Sequence, residues 1–310
     1  MSERFGVRWG LAGGVALATI DEVREVTAYA VDAGFDSLWI SHANAVDPLV
    51  ALAATATDNA GLAEVGTSVT PLFGRHPLGL AQAARTAQSA LGGRFTLGIG
   101  AQSRGAVAAT MGLPWDHPLA FTREFIEGML PLLDGDVANA DGTQLTTHAE
   151  LNIAAPATPI LLAALGPKML DLAGRMVAGT SVGQCGPRTI ATHIGPRIKE
   201  AAADAGRPAP RIMALIRLCV TDASSQEAAA ALAKETSLRY RAVPSYERVQ
   251  DMEGLDDPAQ LHLNGSWEQI LDGLRAYAEA GVTDYRLEIA APTPAARDAT
   301  REAFATYLAG

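Results

Sequence analysis

The chain is 310 residues long, 48% hydrophobic and 19% charged, so it can bury a large core, and its net charge of −10 argues against nucleic acid as a partner. Cys185 and Cys219, the two cysteines, lack metal-binding spacing and fit a reduced cytoplasm, and no metal site is expected. Met1 to Gly10 shows no signal-peptide pattern and no apolar run is long enough to span a bilayer, so no membrane partner is expected.

In chain order, Phe5–Leu11 reads as a first strand. Val23, Val26, Ala30 and Val31 then form a helical stripe that Gly34 ends, and Phe35–Ile40 is a second strand. Leu62–Val69 is a third, closed by Pro71, Gly74 and Pro77. Leu78, Ala81, Ala84, Ala87 and Leu91 recur at helical spacing up to Gly92-Gly93. In Arg94–Gly100, Phe95, Leu97 and Ile99 alternate with Thr96, Gly98 and Gly100, which predicts a strand with one nearly bare face open to close approach. Ile160–Leu165, Met176–Ser181 and Ile212–Val220 supply three more strands. A helix faced by Ile270, Leu271, Leu274, Tyr277 and Ala278 stops at Gly281 before the last strand, Tyr285–Ile289.

Eight strands, each with a helix after it, predict an α/β fold: a closed (β/α)8 TIM barrel rather than an open doubly wound sheet, in a single domain over 1–310. Two segments break the rhythm. Residues 134–157 read as a hairpin inserted around Asp141-Gly142. Residues 241–265, with Pro244, Gly254, Pro258 and Gly265, read as an excursion over the carboxyl mouth.

In such a barrel the reactive groups stand where strands end. The second strand ends at Ser41-His42, and His42 is a proton donor or acceptor at neutral pH, or else a loop histidine held for packing. The third ends at Ser68-Val69, ahead of Arg75 and His76, which composition alone assigns to a solvated basic loop. The fourth ends at Gly100-Ala101-Gln102-Ser103-Arg104, with backbone amides free to face an anion or a ring edge. Ala163-Ala164-Leu165-Gly166 opens a helix next to Lys168, and Gly183-Gln184-Cys185-Gly186 opens another next to Arg188. Two such starts suit a phosphate with an anionic tail. Cys185 has no histidine and carboxylate partner in sequence and reads as a spectator. Glu288 is a base or, more commonly, one half of an ion pair. No P-loop, no GxGxxG opening a helix, no GxSxG and no histidine cluster occurs.

With these residues in place, the chain resembles the luciferase-like flavin/deazaflavin superfamily, and within it the oxidoreductases that use coenzyme F420. The resemblance runs from about Phe5 to Ile289 through GFDSLWISH (34–42), DPLVALAATAT (47–57), GTSVTPLFGRHP (66–77), GGRFTLGIG (92–100) and TPILLAALGPKMLDLAGRMVAGT (158–180). It implies a ring seated in the barrel mouth, with a non-prolyl cis peptide at Ser68-Val69 behind it and one ring face open. Gly100-Ala101 would flank the polyol, and Ala163 to Gly166 and Gly183 to Gly186 would receive the phosphate. His42 matches a histidine beside the ring, but Ser41 stands where an aspartate usually precedes it. Ser103 stands where sugar-phosphate dehydrogenases of the family carry a glutamate, which argues against that substrate.

The resemblance therefore implies hydride transfer between the deazaflavin C5 and a small organic substrate, as a reductase of a C=C or C=N bond. His42 would handle the proton, Ser103 or Gln102 would orient the substrate, and Lys168, Arg188 or Arg104 would meet an oligoglutamate tail. The alternative is an FMN-dependent monooxygenase fed by a separate reductase. A third reading is a relative that has lost its cofactor, against which the intact Gly100-Ala101 turn and His42 stand. Met111, Trp115, His117, Tyr246 and His262 in the loops suggest a partly aromatic pocket. Family members are commonly homodimers.

Overall fold

Proline opens most of the helices that follow the strands. Pro48, Pro77, Pro118, Pro167, Pro187 and Pro294 all stand in a first turn, where the missing N–H has no helical partner to lose. Hydroxyl or carboxylate caps at Thr19, Asp47, Ser266 and Thr293 fix other helix starts, Ser266 in a full capping box with Gln269. Gly34 and Gly281, both at positive φ, turn the chain out of its helices as the sequence predicts.

A computed structural model describes residues 4–310. Among them, eight parallel strands close into a barrel: β1 (Arg8–Ala12), β2 (Ser37–Ile40), β3 (Glu64–Thr67), β4 (Phe95–Gly100), β5 (Ile160–Ala163), β6 (Gly179–Val182), β7 (Arg211–Val220) and β8 (Asp284–Ile289). Pairing runs β1 through β6 in order, β8 joins β1, and β7 lies between β8 and β6, with Arg211 opposite Gly179, which completes the ring. The predicted third strand is interrupted: β3 stops at Thr67, and Thr70–Pro71 resumes pairing with β4. The sixth strand starts later than Met176. The amphipathic helix Pro167–Met176 keeps its register to that residue, burying Leu170, Leu172 and Ala173, so extended structure begins only at Gly179.

Outward-facing strand residues meet the helices in an aromatic cluster. Trp9 packs edge-on to Tyr285 and Phe304, with ring centroids 5.4 and 6.3 Å away, and Trp267 closes on Phe304 at 5.0 Å. Inside, the barrel is layered. At the amino ends of the strands, Arg211 bridges Glu64 and Asp284, each at 2.8 Å, and Arg8 joins both carboxylates. Above this layer the Trp39 indole fills the barrel with Leu161 and Met213. It fits because Gly10 and Gly66 lack side chains; a Cβ on Gly66 would lie 2.4 Å from the Trp39 ring.

Two segments depart from the alternation of strand and helix. Residues 138–141 and 146–149 form an antiparallel hairpin. Its tip is held by Glu124, whose carboxylate accepts from the Thr143 hydroxyl and the amides of Gln144 and Leu145 at 2.8–3.0 Å. The later excursion is ordered as a helix (Pro244–Glu253), a short 3-10 turn (Pro258–Leu261) and a strand (Leu263–Gly265) on the edge of β7. No helix among the described residues is long and apolar enough to cross a membrane.

Candidate active site

The carboxyl ends of the strands surround a cavity of about 230 Å³. Ser41, His42, Ser68, Val69, Ala163, Gly183 and Gln184, all expected from the sequence, line it together with Ser181, Arg217, Tyr240, Tyr246, Arg286 and Glu288. One wall is the Ser68-Val69 peptide, which is cis. Its carbonyl oxygen accepts from the Ser41 hydroxyl at 3.2 Å and from Arg286 Nη1 at 2.5 Å, and the Ser68 hydroxyl meets that of Ser181 at 3.0 Å. That wall is held from two sides of the barrel.

The bare face of β4 has a different purpose from the one the sequence suggested. A Cβ on Gly98 would sit 2.0 Å from the Thr67 carbonyl oxygen, and one on Gly100 would sit 2.8 Å from Val69 Cγ2. The glycines therefore clear space for the third strand and the Val69 side chain, and neither Gly100 nor Ala101 lines the cavity. The Ala101 carbonyl instead accepts from the Trp115 indole at 3.0 Å.

His42 sits at the rim with its Nε2 3.2 Å from Arg75 Nη2 and 3.7 Å from Asp47 Oδ2. A guanidinium can only donate, so Nε2 accepts and the neutral ring carries its proton on Nδ1. That Nδ1 is buried and has no partner among the described residues. Burial lowers the histidine's proton affinity, Asp47 opposes this and Arg75 adds to it, so the ring is neutral at neutral pH. Arg75 is thus no solvated loop cation. Asp47, the cap of the helix Pro48–Ala54, supplies the carboxylate that Ser41 does not.

Several expected residues lie elsewhere. Ser103 caps the helix Arg104–Met111 through its hydroxyl, which accepts from the Ala106 amide at 3.2 Å, and it does not line the cavity. Ala164 is buried, and the Leu165 carbonyl accepts from His193 at 2.9 Å. Gly166 begins its helix with no side-chain cap, leaving that helix start open beside exposed Lys168 and with Arg248 nearby. Gly186 departs from the expected phosphate role for a physical reason. The Glu253 carboxylate accepts from the amides of Gly186, Arg188 and Thr189 at 2.8–3.0 Å, so those donors are already satisfied. Cys185 is fully buried, and burial together with Glu253 pushes its thiol up to about 12, so it stays protonated and is no nucleophile.

The sequence reading missed Arg217, Arg286 and Tyr240. The available signal was the alternation Asp284, Arg286, Glu288 on β8, polar inward, against Tyr285, Leu287 and Ile289 outward. Glu288 takes the commoner of its two expected roles, an ion pair with Arg217 at 3.1 Å.

Residues 5–284 match the family model of luciferase-like monooxygenases, nearly the whole barrel. The chain belongs to the luciferase-like monooxygenase family. Among its relatives is the 5,10-methylenetetrahydromethanopterin reductase of Methanolobus tindarius, 28% identical over 261 residues that cover 82% of this chain and 78% of the relative. An F420-dependent secondary alcohol dehydrogenase, solved with an F420-acetone adduct, superposes with a TM-score of 0.79 at 20% identity, covering 96% of this chain and 98% of its own. The FMN-bound oxygenating constituent of 3,6-diketocamphane monooxygenase from Pseudomonas putida does so with a TM-score of 0.74 at 19% identity, over 99% and 97%. These two structures share the barrel, one solved with an F420 adduct and the other with FMN.

Proposed function

We propose that the chain is a coenzyme F420-dependent oxidoreductase that reduces a C=C or C=N bond of a small organic substrate. The observation that carries the reading is the mouth itself: a cavity walled by the Ser68-Val69 peptide, with the neutral His42 ring beside it and its Nδ1 proton unpaired. A ring bearing carbonyl or imine acceptors would satisfy that donor. The residues present fit a deazaflavin, whose phosphate would take the open start of the helix Pro167–Met176 beside Lys168 and Arg248. An anionic tail would meet the exposed Arg188 and Arg104. When bound, the deazaflavin supplies a hydride donor or acceptor at its C5.

The chain's own part is positioning and proton handling. Arg75 holds His42 in one tautomer, Asp47 fixes Arg75, and His42 passes a proton to a substrate atom only by taking one up from water, so that the ring ends neutral as it began. Reduction suits the site better than dehydrogenation, because Ser103 is a helix cap and offers no carboxylate base. It also agrees with the name of the Methanolobus relative, a reductase. The reading carries the homodimer with it, which size-exclusion chromatography with light scattering checks.

The test is a pair of titrations of purified protein, one with F420 and one with FMN, read by fluorescence quenching. Saturable quenching of F420 with FMN weaker supports the reading. Tight binding of FMN with no saturable binding of F420 refutes it in favour of the monooxygenase.

A further inference from the structure

Two guanidiniums and one carboxylate face the cavity from inside the barrel. Arg217 on β7 and Arg286 on β8 are each more than nine-tenths buried. Glu288 is committed to Arg217 at 3.1 Å, and Arg217 also donates to the Tyr240 hydroxyl at 3.2 Å and stacks on its ring, 5.0 Å from the centroid. Among the described residues Arg286 has no carboxylate within ion-pair distance. Nη1 is held by the Ser68 carbonyl, and Nε is buried with no partner. The other titratable groups on the cavity do not cancel the charge: Tyr246 is held protonated by burial, and the His42 ring is neutral.

Burial lowers Arg286 to about 10, with Glu288, which it shares with Arg217, opposing and Arg217 adding to the shift, and this still leaves it ionised at neutral pH. A buried ionised group without a counter-ion of its own is costly, and in folded proteins such groups are paired. Two cations and one anion on one small cavity leave a single positive charge for a ligand to meet.

We infer that the floor of this mouth is a carboxylate site, in which Arg286, with Arg217 beside it, receives one negatively charged oxygen pair, and the faces of Tyr240 and Tyr246 receive the apolar body attached to it. The two phenol rings meet edge to face at 5.0 Å, which gives that body an aromatic wall. The substrate class is then a small, planar unsaturated acid, its carboxylate on the arginines and its double bond held toward the ring's open face. This last step rests on the reading of the mouth as a deazaflavin site; the anion site does not.

The test uses the full chain without cofactor and benzoate as the probe, followed by calorimetry or intrinsic fluorescence. Saturable benzoate binding is expected, with toluene binding far more weakly. Arg286→Met should weaken benzoate about thirtyfold or more, the loss that follows removal of one partner of a buried charge pair, whereas Arg286→Lys should keep much of it. Arg217→Gln, which leaves the Ser68 contact intact, should also weaken it, and circular dichroism reports whether each variant is folded. A repeat with saturating F420 separates the two possible sources of the anion. Undiminished benzoate binding assigns the site to a substrate acid, and competition assigns it to an anionic edge of the cofactor. Absence of saturable binding, or equal binding by folded wild type and Arg286→Met, overturns the site whatever the F420 titration shows.

Discussion

Gly98→Ala is the perturbation that most directly links the strand pattern to the mouth. The added methyl would lie 2.0 Å from the Thr67 carbonyl oxygen and 3.3 Å from Val69 Cγ1, where ordinary contact begins near 3.4 Å. The obstacle is backbone, so β3 and β4 must part by more than 1 Å at this point. Their local bonds are lost with it: the Thr67 hydroxyl donates to the Gly98 carbonyl at 2.8 Å and accepts from its amide at 3.0 Å. Overpacking of this kind costs about 1–3 kcal/mol, and two buried hydrogen bonds add about 1 kcal/mol each. The expected loss is therefore about 3–5 kcal/mol. For a chain of this length that lowers the melting temperature by roughly 5–8 °C. Because Val69 walls the cavity, ligand binding should weaken in the same variant. Thermal melts and an F420 titration read the two effects. A variant that melts with wild type and binds equally would refute the claim that this bare face exists to admit β3.

The remaining predictions probe separate parts of the molecule. Gly79 is exposed in the first turns of the helix Pro77–Ala90 with nothing within 4 Å of an added Cβ, so Gly79→Ala should stabilise by about 0.5–1 kcal/mol in a chemical melt. His262 is buried, its Nε2 has no partner among the described residues, and burial with Arg217 lowers it to about 4. The unfolded chain therefore binds a proton there that the folded chain refuses. Stability should fall as pH drops from about 6.5 toward 4, by up to ~3 kcal/mol from this residue, and His262→Asn should flatten that slope. Arg75→Gln removes the cation that disfavours protonated His42 and leaves Asp47 free to pair with it. The acid limb of the activity profile should then move to higher pH, and an unshifted limb would remove Arg75 from the proton path.

The barrel was legible because its signals are local. Apolar stripes ending at Gly34 and Gly281 need only near neighbours in sequence, and they gave the architecture. Boundaries were less so. Nothing between Met176 and Gly179 marks where the helix yields, since an apolar run serves either element. The second strand end brought Ser41 and His42 to the cavity, as expected. One partner of His42, Asp47, lies further along its own loop, and the other, Arg75, comes from the loop after the neighbouring strand, which the pairing of β2 with β3 brings close. Gly186 shows the same limit in reverse: its amide looked free in sequence, and Glu253, far along the chain, had already taken it. The bare face at Gly98 promised close approach without saying what approaches; here it is Thr67. Arg286 was overlooked because an arginine on a strand reads as surface until barrel closure turns alternate residues inward.

The proposed deazaflavin site places the neutral His42 ring beside the coenzyme. F420 titrated into wild type and His42→Ala, alongside FMN, tests it most directly. Saturable quenching by F420 in wild type, weaker binding in His42→Ala and preference over FMN are the expected results. Preference for FMN, or F420 binding that ignores the loss of His42, would contradict the account.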